Sequence, residues 1–403
     1  MKKLFYFVII TGIVYVSAVF VSEIPRKAAF QVQANVARIA EIIILNNMCT
    51  PETVFSADAD KEFCSKDPIF KVSESVEVDL TTMKGLYYKD GKLLRIFNIL
   101  SKAPQGKWYQ TPTGFYRIGV KKERHQSSLF PVYMPYSVQY YEDFFIHAVP
   151  FYTATDERVP PSFTGGCIRL GDDDAKFMFD ALSAGDRITV YETFKDFKLN
   201  PEFAFPVDPD KVWIRQTFNN PIRFFWGMAA EDKKNEYYHH AGVDIAGWGF
   251  ENLPVYSVYG GIVVIADKTF SRDHGFGNTV LIQYDLPDGQ TVYGQYIHLH
   301  EIDAKVQKGV RVAKGQQIGT MGSSGYGCSE YWKIGGDGCA VKSDPDNHLH
   351  FEIKTGPTLL NPKGGDEACY NSSKKIYGPC FGYTPSKPED YGYMDPIEFL
   401  RAK

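Results

Sequence analysis

The chain has 403 residues, of which 44% are hydrophobic and 23% charged, and its net charge at pH 7 is -4. A chain of this length exceeds what one hydrophobic core organises, so we expect at least two domains. The composition excludes a largely disordered protein, and the slightly acidic balance provides no basic footprint for nucleic acid. We therefore expect no nucleic-acid partner, and the oligomeric state stays open.

The N-terminus predicts export through a membrane. Lys2 and Lys3 precede an uncharged apolar run from Leu4 to Ser22, which is long enough to enter a bilayer as a helix. Val16-Ser17-Ala18 offers a small-residue cleavage site, so residues 1–22 are either a retained signal anchor or a removed signal peptide. The lysines place the rest of the chain outside the cytoplasm, in the periplasm or cell envelope, either anchored in the inner membrane or secreted.

Six of the seven cysteines form pairs that are close in sequence. In an exported protein such pairs predict disulfides, and the seventh, Cys167, is then a candidate reactive thiol. The alternative, in which all seven are reduced and inert, belongs to a cytoplasmic protein. The predicted pairs are Cys49 with Cys64, Cys328 with Cys339, and Cys369 with Cys380.

Residues 23–75 contain no catalytic pattern. An apolar, helix-like stretch from Val32 to Leu45 is followed by the loop from Cys49 to Cys64. We predict a helical, disulfide-containing segment, whose role as a stalk, a docking element or a lid the sequence does not decide.

Short strands dominate the next segment, residues 76–192. They are VEVDL, GLYYKDGKLLRIFNIL with a hairpin turn at Asp90-Gly91, TPTGFYRIGV and FFIHAV. The motif PSFTGGCIRL and the helical segment DDDAKFMFDALSAG follow. Two glycines before Cys167 let a substrate approach the backbone closely, and free N–H groups there can hold a developing oxyanion. His147, on the preceding apolar strand, is a candidate base for the thiol.

This segment resembles the YkuD-like L,D-transpeptidases of bacterial cell walls. TPTG, IHAV and TGGCIRL stand in the family's order between residues 76 and 192. The resemblance implies that Cys167 is the nucleophile and His147 its base, with the backbone of Gly166 and Cys167 as oxyanion donors. Arg169 would either bind a carboxylate of the donor peptide or stabilise the local fold.

Two positions depart from the pattern of that family. Ala148 replaces a glycine, and Gly165 replaces the histidine that commonly lines the donor site. The second departure leaves the rate and the donor specificity open. The alternatives are an L,D-carboxypeptidase that uses water as acceptor, an inactive or wall-binding domain, and a domain that anchors a protein to the wall.

Residues 193–211, with spaced prolines and phenylalanines, predict a linker, and the pattern HHAGVDI follows in the segment from residue 212 onward. In strand alternation His240, Gly242 and Asp244 share a face, so an imidazole and a carboxylate can converge on one ion. His239 has a valine four residues on, and we therefore favour His240.

A second candidate strand, NHLHFEI, has polar residues on one face and apolar residues on the other. His348, His350 and Glu352 share one face, while the alternate residues Leu349, Phe351 and Ile353 share the apolar face. Neutral imidazole is a common zinc ligand. Between the two histidine motifs, glycine-punctuated strands predict an all-β domain.

Residues 212 to about 360, within a predicted domain of residues 212–403, resemble the lysostaphin-type zinc endopeptidases. The blocks that carry the resemblance are HAGVD, GIVV, YIHL, KGQQIGTMGSSG and HLHFE. The resemblance implies zinc ligands at His240, Asp244 and His350 and catalytic histidines at His298 and His348. Three protein ligands leave the fourth position of the ion for water, which is the catalytic arrangement. By the same comparison His300 is a surface or supporting residue, and Glu352 a structural carboxylate.

The chain also carries an insertion before HLHFE. Tyr326 to Asp346 separate it from the glycine-rich turn and contain Cys328 and Cys339. We expect this loop to form a wall or lid of the cleft and to restrict which cross-links enter. Near the C-terminus, DPIEFL resembles the closing strand of the zinc endopeptidases.

Together these features predict a mainly β protein with two catalytic domains and an N-terminal membrane segment. The first is a β-rich L,D-transpeptidase fold with a short helix after the cysteine motif, and the second an antiparallel all-β zinc endopeptidase. The expected function is bifunctional remodelling of peptidoglycan. It combines L,D-transpeptidation on stem peptides through an acyl-enzyme with Zn²⁺-dependent hydrolysis of peptide cross-links.

Overall fold

A computed structural model describes most of the chain from residue 67 onward. The N-terminal segment, Cys49, Cys64 and the insertion at 326–346 lie outside the described residues. No helix within the described part is long and apolar enough to cross a membrane. Side chains are not described at 223–236 and 364–379. The described ranges are 67–104, 110–160, 164–222, 224–225, 228–229, 237–249, 252–267, 275–325, 347–363, 368–371 and 376–402.

The described residues divide between two compact units. The larger unit comprises Pro68–Gly91 and Phe97–Lys403, and it contains both sites described below. Of the other unit, the described residues are Asp67 and Lys92–Ile96.

Ten strands form the first sheet of the described chain. It runs in the order β4, β10, β1, β2, β3, β9, β7, β6, β5, and β8 pairs with β6. The strands are β1 (Glu74–Asp79), β2 (Lys84–Lys89), β3 (Lys92–Ser101), β4 (Gly114–Arg117), β5 (Lys121–Gln126), β6 (Val132–Tyr141), β7 (Phe144–Ala148), β8 (Phe151–Tyr152), β9 (Ile168–Leu170) and β10 (Arg187–Tyr191).

The predicted hairpin and the predicted helix of this region are confirmed. Asp90 and Gly91 have φ angles of 50° and 74°, the left-handed pair that closes a tight turn between β2 and β3. The helix α1 (Asp172–Ala181) follows the cysteine motif and begins with three aspartates. Negative charge there complements the positive end of the helix dipole.

Parallel pairing of β7 with β9 brings the histidine and cysteine motifs side by side. His147 lies directly opposite Arg169 in this register. Because Cys167 immediately precedes β9, a histidine 20 positions earlier in the chain enters the same site.

The second sheet has eight strands among the described residues, in the order β11, β16, β24, β20, β19, β18, β22, with β28 beside β24. All its pairings are antiparallel, as predicted. Its strands are β11 (Val212–Gln216), β16 (Val243–Gly247), β18 (Gly261–Asp267), β19 (Asn278–Asp285), β20 (Thr291–Leu299), β22 (Arg311–Val312), β24 (His348–Lys354) and β28 (Tyr393–Met394).

Three small sheets complete the second region. Their orders are β12, β15, β27; β13, β14, β25, β26; and β17, β23, β21. The strands are β12 (Pro221–Ile222), β13 (Phe224–Phe225), β14 (Met228–Ala229), β15 (Tyr238–His240), β17 (Pro254–Tyr256), β21 (Glu301–Ile302), β23 (Gln317–Thr320), β25 (Ala368–Asn371), β26 (Ile376–Pro379) and β27 (Tyr383–Thr384).

The alternation predicted for β24 is confirmed. Leu349, Phe351 and Ile353 are completely buried in the core of the second sheet. β24 lies between β16 and β20, so its polar face is held at the centre of the sheet. The predicted zinc ligands of two strands therefore meet on a rigid surface.

The segment predicted as a linker packs against the second region. Phe203 and Val207 are buried in the same core as the central strands. Around it, Tyr191 of β10 contacts Trp213 of β11 with ring centroids 5.4 Å apart. The two sheets thus meet through a buried aromatic cluster.

The prediction of a closing strand at DPIEFL is wrong. Pro396–Leu400 form a helix, α2, whose N-cap Asp395 accepts hydrogen bonds from the amides of Ile397 and Glu398. Proline at the first helical position and aspartate at the N-cap favour a helix start over a strand. The strand that closes on β24 is β28, immediately before.

Candidate active sites

A cluster of three buried side chains occupies the polar face of the second sheet. His240, Asp244 and His350 offer ligand atoms that could hold a metal ion. Asp244 of β16 lies directly opposite His350 of β24, and His240 ends β15. The register explains the convergence, because opposite residues of paired strands present their side chains on the same face.

The ligand atoms lie close to one another. Asp244 Oδ1 is 2.9 Å from His350 Nδ1 and 3.2 Å from His240 Nε2, and the two histidine nitrogens are 2.9 Å apart. Ligands about 2.1 Å from a tetrahedral zinc ion lie about 3.4 Å from one another. Small outward shifts of the side chains would therefore accommodate zinc.

Gly242 is required for this approach. A Cβ atom there would lie 2.5 Å from the carbonyl oxygen of Phe351 and 2.9 Å from Nε2 of His350. Only glycine lets β24 pass so close to the turn that joins the two ligands of the HAGVD motif.

Each histidine of the cluster is oriented through its other nitrogen. His240 Nδ1 donates to the carbonyl oxygen of Thr217 at 3.1 Å, and His350 Nε2 donates to Glu352 Oε1 at 3.1 Å. Lys354, itself fully buried, donates to the second carboxylate oxygen of Glu352 at 3.1 Å. These bonds fix which nitrogen of each ring faces the cluster.

The electrostatics of the cluster favour a bound cation. Burial on its own would raise the pKa of Asp244, but the imidazoles of His348, His240 and His350 hold it well below its usual range. Burial lowers the pKa of His350, yet hydrogen bonds and charge from Asp244 and Glu352 raise it to about 9. The same negative potential would attract a divalent ion. Two imidazoles and a carboxylate are a typical donor set for zinc, so the residues present fit this metal.

His298 and His348 flank the cluster with opposite proton arrangements. His298 Nδ1 lies 2.8 Å from the carbonyl oxygen of Ser324, which can only accept a hydrogen bond, so Nδ1 carries the proton and Nε2 is an acceptor. His348 Nδ1 lies 3.3 Å from Nη1 of Arg215, which can only donate, so a neutral His348 carries its proton on Nε2. That nitrogen is 3.6 Å from Asp244 Oδ1. The pair therefore combines a proton acceptor with a hydrogen-bond donor.

Two further properties distinguish His298. Its backbone φ is 61°, a left-handed conformation that is costly for a residue with a side chain. Burial, followed by the neighbouring His348 and His350, lowers its pKa well below the ordinary value. The ring centroids of His298 and His348 are 5.1 Å apart. His298 is thus a neutral imidazole held in place at a local backbone cost.

Two other histidines stay outside the cluster. His300 is largely exposed and lies 4.0 Å from Glu301. His239 points away, and burial lowers its pKa to about 4. These placements agree with the preference for His240 over His239 and with a surface position for His300.

In the first region, the predicted residues line one cavity of about 150 Å³. Cys167, His147, Gly165 and Arg169 all contribute to its wall. Gly166 has a φ of 100°, which a residue with a side chain rarely adopts. The structure therefore brings the predicted cysteine site together around one pocket.

The thiol is held in an apolar setting. Cys167 is a free, buried cysteine, 9% exposed, and packs with hydrophobic neighbours such as Met134 and Phe145. Its sulfur accepts a hydrogen bond from the Phe145 amide at 3.4 Å and contacts the carbonyl oxygen of Asp143 at 3.9 Å. Burial raises the pKa of the thiol to about 11, even though the Phe145 amide and Arg169 act in the other direction.

His147 is oriented as a base would be. Its Nδ1 donates to the carbonyl oxygen of Ala148 at 2.5 Å, which leaves Nε2 as the acceptor. Burial lowers its pKa to about 4. Within the described residues no hydrogen bond joins His147 to Cys167. The resting pair is consequently a neutral imidazole and a protonated thiol.

Arg169 and Gly165 shape the rest of this cavity. Arg169 is buried, and its Nη1 donates to the carbonyl oxygen of Pro160 at 2.8 Å. A Cβ at Gly165 would lie 2.6 Å from the ring of Phe130. Phe130, at the tip of the β5–β6 hairpin, therefore occupies the space that a side chain at position 165 would need.

Several residues around the two sites were missed by sequence reasoning. They contact the site residues from distant parts of the chain or through backbone atoms, which no local sequence pattern indicates. Arg215 and Thr217, for example, lie in the segment IRQTFNN, whose residue spacing matches no known binding or catalytic motif. Of the cysteines expected to pair, Cys380 is buried, while the side chains of Cys328, Cys339 and Cys369 lie outside the described ones. The three disulfides stay predictions.

Two family models match the chain. The model for the L,D-transpeptidase catalytic domain, YkuD, matches residues 73–190, and the model for peptidase family M23 matches residues 238–362. The comparison with curated proteins found no match.

Solved structures similar to the chain come from both groups. An L,D-transpeptidase from Stackebrandtia nassauensis is 22% identical over 37% of this chain and 75% of that chain, with a TM-score of 0.27. A mutant of the catalytic domain of the prophage-encoded M23 protein EnpA from Enterococcus faecalis is 25% identical over 30% of this chain and 72% of that chain, with a TM-score of 0.21. A zinc containing peptidase from Vibrio cholerae is 25% identical over 40% of this chain and 39% of that chain, with a TM-score of 0.25.

With TM-scores this low, the domain assignment rests on the two family models and on the motifs that they cover. The chain joins a YkuD-type L,D-transpeptidase catalytic domain to a domain of peptidase family M23.

Proposed function

We propose that this protein remodels peptidoglycan in the periplasm or cell envelope with two active sites. The second domain hydrolyses peptide cross-links with zinc, and the first forms L,D-linkages through an acyl-enzyme. The observation that carries the proposal is the convergence of His240, Asp244 and His350 beside two further histidines of opposite proton arrangement. The apolar run Leu4 to Ser22 supports an export signal or an inner-membrane anchor.

In the hydrolytic site, His240 Nε2, Asp244 and His350 Nδ1 would hold the ion. Zinc bound there would polarise the scissile carbonyl and lower the pKa of the attacking water. His298 Nε2 accepts the proton of that water, since its Nδ1 is occupied by Ser324. His348 Nε2 donates a hydrogen bond to the oxygen on which charge develops. His298 then returns the proton to the amine that leaves.

In the cysteine site, the sulfur of Cys167 attacks the carbonyl carbon of a donor stem peptide. The thiol proton passes to His147 Nε2 and from there to the departing amine, which leaves a thioester on Cys167. The backbone amides of Gly166 and Cys167 can stabilise the oxyanion that forms on the substrate carbonyl. An acceptor amine then attacks the thioester and restores the thiol, which yields an L,D-linkage.

The test uses purified peptidoglycan with and without a zinc chelator. We expect His350→Ala and chelation to remove soluble cleavage products and Cys167→Ala to remove new L,D-linked products, as identified by mass spectrometry. Cleavage that persists in the chelator would contradict the zinc assignment. Unchanged transfer products from Cys167→Ala would contradict the cysteine assignment.

One observation favours a second candidate for the first domain. Because Cys167 is 9% exposed and rests as a protonated thiol, the domain could serve as a wall-binding module. Binding of stem peptides without turnover, by wild type and Cys167→Ala alike, would support that reading. Release of a terminal residue into water would instead indicate an L,D-carboxypeptidase.

A further inference from the structure

We propose that the TPTG turn of the transpeptidase domain positions the zinc site of the peptidase domain. This inference rests on the proposed zinc function and adds positioning residues from the neighbouring domain. Thr113 immediately precedes β4 and Phe115 lies within it, more than a hundred positions before the metal cluster in the sequence.

The first connection passes through a buried turn of the peptidase domain, residues 217–220. The Thr113 amide donates to Asn220 Oδ1 at 2.8 Å, and Asn220 Nδ2 donates back to the Thr113 carbonyl at 3.0 Å. The Thr217 amide donates to Thr113 Oγ1 at 2.9 Å. Thr113, Thr217 and Asn220 are each 1–2% exposed, so these bonds are shielded from water.

The same turn holds the metal ligand His240. The Thr217 carbonyl accepts the Nδ1 proton of His240 at 3.1 Å, the bond that turns Nε2 toward the cluster. Backbone bonds add to it, since the Asn219 amide donates to the His240 carbonyl at 2.8 Å and the His240 amide to the Asn220 carbonyl at 3.1 Å. Thr113 therefore acts on His240 through one intermediate turn.

A second connection starts one residue after the turn. The guanidinium of Arg215 lies over the ring of Phe115, with its central carbon 4.8 Å from the ring centroid. The same Arg215 donates to His348 Nδ1. Packing on Phe115 thus supports the residue that sets the proton position of His348. The proposed ligand His240 and the proposed catalytic histidine His348 are therefore each connected, through one intermediate residue, to this short segment of the chain.

Partners that orient metal-binding histidines typically change metal affinity by about 10- to 100-fold when they are removed. Thr113 does not contact His240 itself but the residue that orients it, Thr217. We therefore expect Thr113→Val to weaken zinc affinity about tenfold, at the lower end of that range. The measurement is chelator competition on the full-length chain, which does not depend on enzymatic activity. Thr113→Ser keeps the hydroxyl and is expected to bind zinc within about twofold of wild type.

Thr111 supplies a matched control from the same turn. Its buried hydroxyl accepts the Ala103 amide at 2.9 Å, so Thr111→Val also leaves a backbone amide without its side-chain acceptor. That bond lies within the transpeptidase domain. We expect Thr111→Val to lower the melting temperature much as Thr113→Val does, and to leave zinc affinity within about twofold.

Equal zinc affinity in wild type, Thr113→Val and Thr111→Val would overturn the inference. A wild-type chain that binds no zinc would overturn the proposed function itself. If Thr113→Val does not fold, Asn220→Ala tests the same connection, because it removes both bonds to the Thr113 backbone and keeps the backbone carbonyl that His240 uses. An unchanged zinc affinity in Asn220→Ala would likewise overturn it.

Discussion

The two sites of this protein prepare their chemistry in opposite ways. The proposed zinc site is polar and charged, with a buried aspartate surrounded by imidazoles and a second carboxylate, Glu352, that accepts a hydrogen bond from His350. The cysteine site is apolar, and burial keeps both Cys167 and His147 neutral. The proposed zinc site therefore has a negative electrostatic potential before any ion binds. The cysteine site has no charged nucleophile before substrate binds.

This difference determines how the first site can bind a metal ion and how the thiol of the second site can become reactive. The first site can accept a cation after small outward shifts of its side chains, because its ligand atoms already lie within 3.2 Å of one another. In the proposed reaction Cys167 gains its thiolate only when a base takes the proton, because burial raises the pKa of the thiol to about 11.

Removing one zinc ligand should abolish hydrolysis. His350→Ala leaves Asp244 buried with fewer partners and removes one of three ligands, so we expect the rate of peptidoglycan hydrolysis to fall by at least about a thousandfold. Soluble products measured over time check this. His300→Ala is the control, since His300 is exposed and outside the cluster, and it should hydrolyse at the wild-type rate. Retained hydrolysis in His350→Ala would show that hydrolysis does not depend on the charged metal cluster.

Replacing His298 should reduce turnover without releasing zinc. His298→Ala removes the neutral proton acceptor, and such groups contribute about a hundredfold to ten-thousandfold. We expect kcat to fall by about 10²- to 10³-fold while the zinc content, measured by atomic absorption, stays at one equivalent. Loss of zinc together with activity would show that His298 is a ligand and not the base.

The cysteine site should show the chemistry of an unactivated thiol. Because burial raises the pKa of Cys167 to about 11, its thiolate fraction rises about tenfold per pH unit until the pH approaches that value. We expect alkylation by iodoacetamide to accelerate about a hundredfold between pH 7 and pH 9, as followed by mass spectrometry. The alternative, a preformed thiolate and imidazolium, predicts a rate that is already constant at pH 7.

A side chain at position 165 should collide with Phe130. Gly165→Ala would place its Cβ 2.6 Å from that ring, and we expect a loss of stability of about 1–2 kcal/mol, measured by thermal unfolding. Gly260→Ala is the control, because the nearest atoms to a Cβ there are 3.8 Å away and its φ lies outside the left-handed region. In a Phe130→Ala background the cost of Gly165→Ala should disappear. Persistence of the full cost would show that another contact determines it.

Much of both sites could be predicted from short-range patterns. The two-residue alternation of β24 places His348 and His350 on one face, and the left-handed turn at Asp90-Gly91 follows from two residues alone. The segment DPIEFL was mispredicted because its resemblance to a strand outweighed the helix-start signal of Asp395 and the following proline. Local backbone preferences decided that element.

Other features depend on contacts that no local pattern encodes. The left-handed φ of His298 is imposed by the surrounding structure, since such a conformation is unfavourable for a histidine on its own. The roles of Arg215 and Thr217 depend on hydrogen bonds across 133 and 23 positions of the chain. The Phe130 ring beside Gly165 likewise comes from a separate hairpin.

The sequence by itself determined which side chains are candidates for the chemistry, because ligand types, their spacing on a strand and the residues flanking a cysteine are local properties. Only the tertiary structure decided which nitrogen of each histidine faces its cluster, how deeply the thiol is buried and that Thr113 is hydrogen-bonded to the turn that holds His240. Hydrogen-bond direction and desolvation depend on atoms that distant segments bring together, and these atoms meet only when the chain is folded.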